Sequence, residues 1–381
     1  MYLNSYRSRR RRRWPWVLLL LLLALGAAYA YENRASLLHL VAEPLGVVGK
    51  PLPTPSPTPI SAEEHIRRGE HAFAEGKINE AVQEYTRAVD MDPENAAAHA
   101  QLGWLLALRY RHTAAVQAAQ RAVELDAENA SYQASLGMVL DWSGRPAEAV
   151  LACLRAQELD PGYARGYAYL AEAYADQGQL VRAEALAHKA IEMDPNDVFA
   201  YRILGYVWEN MGLYEDATTA YRQAIELNDH LGLLYVSLGR NLLTLGDMEG
   251  ALLQFDKATQ VDPQNPRGHD QLGWTYFMAQ DYGTAEMELK RAVRADPSYA
   301  PAYGHLGVTY YVQRNYEDAI PMFEKAIELG STSVEYRYEL GLSYSYLGDC
   351  EQAIIWFEQT LELDPNCEIA HQGLRECEST P

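Results

Sequence analysis

The chain is short of the residues that site chemistry needs in clusters. Four cysteines in 381 residues are too few for a disulfide framework. No Cys-x-x-Cys or His-Glu-x-x-His spacing occurs, which removes the usual zinc sites. Gly76-Lys77 lacks the upstream glycine frame of a phosphate loop. The ten histidines are scattered, and His99, His269 and His305 stand on helical positions, where a satisfied structural role is the expected one. Basic residues are also scarce: 32 Lys and Arg face 52 Asp and Glu, for a net charge of −20. Six of the arginines (Arg7 and Arg9 to Arg13) lie in the first thirteen residues; setting them aside leaves about −26 for the remainder. A phosphate backbone needs a basic face, so nucleic acid is excluded as the partner of that remainder. Such a surface stays soluble and tolerates a basic partner.

What the chain does contain is one pattern written nine times with a period of thirty-four residues. Gly69, Gly103, Gly137, Gly205, Gly239, Gly273, Gly307 and Gly341 fall on one register, with Ala171 filling the fourth place. Twelve residues on runs an alanine column from Ala81 to Ala353, and seven beyond it a second from Ala88 to Ala326, closed by Thr360. A fixed period of this length is the signature of a solenoid, in which each unit packs only on its neighbours. Within a copy the apolar spacing is helical: Tyr201, Leu204, Gly205 and Trp208 form one stripe, and Ala217, Tyr221, Ala224 and Ile225 a second. Gly212 between them suits a helix end, and Asp194-Pro195 before the copy is a stop signal. Tyr110, Gln280 and Arg314 replace the turn glycine, and Ala127, Asp229 and Ser331 the proline, which predicts locally altered turns. Pro321 lies deep enough in its helix to predict a frayed or bent first turn.

The glycine and alanine columns, the aromatic between them (Tyr85, Tyr221, Phe255, Phe323, Phe357) and the Asp-Pro stop resemble the tetratricopeptide repeat (TPR) family. The resemblance covers residues 61–367, as copies at about 62–95, 96–129, 130–163, 164–197, 198–231, 232–265, 266–299, 300–333 and 334–367. It implies an all-α, right-handed α-solenoid of nine helix-turn-helix units. Residues 368–381 then read as a polar capping helix and tail, with Leu374 in register with Leu340 and Arg375 in the glycine slot. The resemblance also implies that the first helices line a concave groove for a protein or peptide partner. Its groove slots carry Trp104, Met138, Trp142, Arg165, Phe199, Arg202, Tyr206, Asn210, Arg240, Arg267, Asp270, Trp274, Phe277, Tyr311, Tyr338 and Tyr346, about half of which should serve mainly as core. The carboxylate-clamp slots hold Arg202 and Arg240 without the asparagine, and no asparagine ladder is present. Every carboxylate pair recurs with the repeat, which marks it as scaffold. No enzyme activity, cofactor, metal or small-molecule substrate is therefore expected.

Ahead of the repeats, residues 1–13 form a basic tail and residues 14–31 an uncharged run. As a helix that run would span about 27 Å, against a hydrocarbon core of about 30 Å. A single N-terminal transmembrane helix is expected, with the arginines cytoplasmic and the repeats outside. Ala28-Tyr29-Ala30 offers the alternative of a cleaved signal peptide and a secreted product. Residues 32–60 make a juxtamembrane and proline-rich tether; its last eleven residues reach about 34 Å as polyproline II. On an exported chain, Cys350 at the start of the last second helix and Cys377 at the end of the cap form the candidate disulfide. The sequence thus predicts a membrane-tethered interaction scaffold; the alternative is a regulatory or substrate-capturing subunit of a cell-envelope enzyme, secretion or polysaccharide complex.

Overall fold

A computed structural model describes residues 60–379. The expected membrane anchor, basic tail and most of the tether lie outside them, and among the described residues no helix is long and apolar enough to cross a membrane. Nineteen helices follow one another with no strand among the described residues. The nine first helices are α1 (Ala62–Ala74), α3 (Ala96–Leu108), α5 (Ala130–Trp142), α7 (Ala164–Asp176), α9 (Val198–Asn210), α11 (Gly232–Thr244), α13 (Pro266–Met278), α15 (Ala300–Val312) and α17 (Val334–Tyr346). Each second helix starts four residues after its first ends, and α19 (Glu368–Ser379) closes the array.

The turns repeat for local reasons. Asn95, Asn129, Asp197 and Asn265 cap first helices by accepting a hydrogen bond from an amide two or three residues on. At the ends of second helices, Asp160, Asp194, Asp296 and Asp364 accept from the amide two residues later, at 2.8–3.0 Å. The proline between has no N–H to lose. A polar side chain six residues past the proline slot then reaches back to its carbonyl: His99, Tyr167, Tyr235, His269 and His371 all do so, at 3.0–3.2 Å. These histidines are structural, as expected.

The altered turns expected from sequence are mostly absent. Tyr110, Gln280 and Arg314 hold φ of 57°, 64° and 60°, in the left-handed region that Gly212 occupies at 76°. The backbone path is kept and the side chain bears the strain. Asp126 and Asn228 still close the loop where Ala127 and Asp229 replace proline. Only Ser331 marks a changed turn. Its helix (Tyr316–Glu328) stops a residue early, Gly330 takes φ 96°, and the Ser331 amide donates to the Ala326 carbonyl at 3.0 Å, which a proline could not do. That same helix runs unbroken through Pro321 from its regular start, so the frayed first turn is not seen.

The glycine column faces the aromatic column. A Cβ on Gly239 would stand 2.6 Å from the Phe255 ring, on Gly307 2.7 Å from Phe323, and on Gly341 2.7 Å from Phe357. The cap keeps the register of the repeat. Gly373 and Cys377 stand thirty-four residues after Glu339 and Ser343 and are buried as they are, Leu374 packs partly buried on the Phe357 cluster, and Arg375 is exposed. Gly373 lies on the Phe357 ring, which is held between Gly341 and Gly373. Cys350 and Cys377, the candidate disulfide pair, are both free thiols here; the Cys377 thiol donates to Ser345 Oγ at 3.7 Å, and the hydrogen bond between the two cysteines pushes the Cys350 thiol up.

From α3 to α9 and again from α11 to α19, first helices pack on those of the next unit, while second helices have no comparable contact with one another, so the wall curves toward the first helices. The curvature is uneven. Four places after the first residue of each helix, or three before the glycine, repeats two to four carry Ala100, Ala134 and Ala168, all buried. The same place holds Arg202, Val236, Asp270, Gly304 and Tyr338 in repeats five to nine. Small residues let α3, α5, α7 and α9 approach closely; the first helices from α11 to α17 pack more loosely, with larger residues at this place in all but α15, which has Gly304. The array therefore curls until its first two repeats meet the sixth and seventh. Arg109 forms a two-pronged pair with Asp262 at 2.7 and 2.9 Å, both side chains 8% exposed. Asn79 donates to Gln264 at 2.5 Å, and the Arg267 guanidinium lies 3.5 Å from the Tyr110 ring centre.

Candidate peptide-binding groove

This seam divides the inner wall into a filled half and an open half. In the filled half the expected groove residues are used by the array itself. Trp104 is 6% exposed; its indole N–H donates to the Tyr169 hydroxyl at 2.9 Å, and its ring meets Phe73 at 5.2 Å and Phe199 at 5.1 Å, both edge-on. Met138 and Phe199 are buried beside it. Arg165 pairs with Asp197 at 3.0 Å. What space is left is a cavity of about 380 Å³ lined by Phe73, Trp104, Tyr132, Tyr163, Arg165 and Tyr169 among others.

Further along, charges replace aromatics. Trp142 donates to Glu172 at 3.0 Å, and buried Arg202 donates to the same carboxylate at 2.5 Å. Tyr206 donates to Asp176, Arg240 pairs with Glu209 at 3.1 Å, and exposed Asn210 bonds the Tyr206 carbonyl at 2.8 Å. Asp141 lies beneath with neither oxygen hydrogen-bonded. Burial raises its pKa to about 9; Glu172 and Asp176 add to the rise and Arg202 opposes it. Arg202 and Arg240, the residues that occupy carboxylate-clamp slots, are thus each spent on a glutamate of the array.

The open half runs over α13, α15 and α17. Trp274 and Phe277 are half-buried and stacked at 4.6 Å, and the His305 ring stacks on Trp274 from the other side at 4.2 Å. His305 is fixed by buried Asp270 at 2.7 Å. Tyr311 and Tyr338 are half-buried, and Tyr346 is 59% exposed. Tyr346 stacks on Tyr316 at 4.8 Å and meets Tyr311 at 6.4 Å. Of the residues expected in the groove, Trp274, Phe277, Tyr311, Tyr338 and Tyr346 offer ring area to solvent here. Trp104, Met138, Phe199, Arg202 and Asp270 are buried and hold the wall together. Sequence reasoning passed over Tyr110, taken only for a missing turn glycine, and Tyr316, whose position opens a second helix. Their shared signal, an aromatic at the turn of the unit, becomes legible only once the turn is seen to face inward.

Family models fit this geometry. A "TPR repeat" model matches residues 69–108, and two "Tetratricopeptide repeat" models match 111–300, in five overlapping pieces, and 298–366. The chain belongs to the tetratricopeptide repeat family. No curated protein matches the sequence. Among solved structures, the array is similar to that in the APC/C hetero-tetramer Cut9–Hcn1, at 17% identity and a TM-score of 0.59, covering 83% of this chain and 76% of that one. It is similar to PilF of Pseudomonas aeruginosa at 18% identity and 0.51, covering 56% of this chain and 97% of that one. Yeast Tom70 matches at 14% and 0.51, covering 84% and 89%. At such identities these likenesses show the fold alone. TPR arrays bind proteins or peptides, and the TPR fold is generally a non-catalytic interaction scaffold. The repeats here have that architecture.

Proposed function

We propose that this TPR array holds an extended or helical segment of a partner protein along the open half of its inner wall, on repeats seven to nine. The observation that carries the reading is the set of rings Trp274, Phe277, Tyr311 and Tyr346, which keep aromatic area at the surface, while Trp104, Met138 and Phe199 on the first helices of repeats two, three and five are buried. Aromatic anchors of this kind dominate binding energy where a partner excludes water around them. The array acts at a membrane: the uncharged run 14–31 anchors it, the tether 32–60 holds it off the surface, and the repeats lie outside the cytoplasm.

Two experiments test these parts separately. A photo-crosslinking amino acid at Tyr346 should capture a discrete partner in cells, whereas the same group at Leu151 or Val181, exposed on second helices, should not. Equal capture from all three sites rules out the groove. Protease added to intact spheroplasts should degrade the repeats and leave a membrane-bound N-terminal fragment. Protection of the repeats would refute the topology, and release of a soluble array would refute the anchor.

A further inference from the structure

Glu339 on α17 is 7% exposed, and its Oε2 is buried with no hydrogen-bond partner among the described residues. A carboxylate so placed calls for an explanation, because leaving one unpaired costs more than pairing it yields. The repeat supplies a comparison. One unit earlier the same slot holds His305, which pairs with Asp270 from the preceding first helix at 2.7 Å. One unit on, the Asp270 slot has become Gly304, beside which the Tyr336 ring lies, so the array provides Glu339 with no complementary charge. Arg337, two residues away, is committed to the carbonyls of Ser331 and Ser333.

The surroundings select the sign of the missing partner. Burial first, then Tyr346 and Glu339, hold the Tyr311 phenol un-ionised, which places Glu339 near that ring, and Tyr311 meets Tyr346 and Tyr316. Ring faces and a carboxylate attract the same kind of group, a cation on an apolar stem. The acidic balance of the chain favours the approach of such a group and disfavours an anion. We propose that Glu339 and the Tyr311–Tyr346 pair form a subsite for a lysine or arginine side chain of the bound segment. This rests on the reading that repeats seven to nine hold a peptide. The stem lies along the tyrosine faces and the head group hydrogen-bonds the carboxylate. Burial and then Glu335 raise the Glu339 pKa to about 8, so binding the cation displaces a proton near neutrality.

The test uses the full chain and four nonapeptides with the same neutral apolar flanks, differing only in a central lysine, arginine, norleucine or glutamate. Titration by fluorescence anisotropy should rank lysine and arginine about tenfold tighter than norleucine, with glutamate weakest. Glu339→Gln, nearly isosteric, should level the series while norleucine binding stays. Glu351→Gln, on an exposed carboxylate, should leave the ranking intact. Norleucine binding equal to lysine, a ranking that survives Glu339→Gln, or a ranking lost equally in Glu351→Gln would each overturn the subsite and leave the groove standing. Failure of all four peptides to bind would remove the groove and the subsite with it.

Discussion

Replacing Arg109 with alanine should open the ring formed by the first seven repeats. The substitution leaves Asp262 with its side chain 8% exposed and its two-pronged partner gone. Two responses compete. If the seam stays shut, Asp262 remains a buried unpaired charge, at about 3–5 kcal/mol. If the seam parts, Asp262 regains water, and the loss is limited to the other contacts across it. The main polar ones are the Asn79–Gln264 hydrogen bond, at about 0.5–1.5 kcal/mol, and the Arg267–Tyr110 stack, at about 0.5–2 kcal/mol, beside the packing of Gly76 on His230. The second route costs about 1–3.5 kcal/mol and is cheaper by about 2 kcal/mol at the middle of these ranges, so the array opens before it keeps the charge buried. The Trp104–Phe199 and Trp104–Tyr169 contacts lie within repeats two to five and survive if repeats five and six straighten. Small-angle scattering should therefore report a larger radius of gyration for Arg109→Ala, and urea unfolding a loss of about 1–3.5 kcal/mol. Arg109→Asp with Asp262→Arg should restore both. An unchanged radius together with a loss of 3–5 kcal/mol would refute the opening argument, and an unchanged radius with unchanged stability would refute the seam.

Three further outcomes follow from local geometry. Gly239→Ala places a Cβ 2.6 Å from the Phe255 ring and should cost about 1–3 kcal/mol, whereas Gly239→Ala with Phe255→Leu should recover part of it in thermal melts. Arg314→Gly relieves a left-handed residue and should stabilise by about 1 kcal/mol; Tyr110→Gly should not, because it also removes the ring beneath Arg267. Equal gains from the two would contradict the role given to Tyr110. Glu339 has its pKa raised by burial, from 4.5 to about 8, so its contribution to stability is whole below pH 4.5 and is lost as pH rises through 8. The advantage of Glu339→Gln over the parent should therefore grow between pH 5 and pH 9, by on the order of 2–4 kcal/mol, in urea melts at each pH. A constant difference would mean that the carboxylate is not buried in solution.

The sequence by itself determined the unit and the rule for stacking it. A period of thirty-four residues, small residues in register and an Asp-Pro stop are local facts. Helix, turn and helix–helix contact within a unit depend on residues at most one period apart. Even the exceptions obeyed this. Tyr110, Gln280 and Arg314 kept the turn, because neighbouring units impose the backbone path and a side chain can be forced into it at about 1 kcal/mol. The cap holds the same register, with Gly373 and Cys377 buried in the places of Glu339 and Ser343.

Tertiary structure decided which groove residues face a partner. Trp104 and Tyr346 satisfy the same expectation for a concave wall, yet one is 6% exposed and the other 59%. The difference arises from the sum of small inter-unit angles, tightened by Ala100, Ala134 and Ala168 in one half and looser where Arg202, Val236, Asp270 and Tyr338 stand. That sum brings Arg109 to Asp262, 153 residues away. A repeat pattern specifies each step of the curve but not where the curve meets itself, and it is that meeting which fills one half of the wall and leaves the other half open.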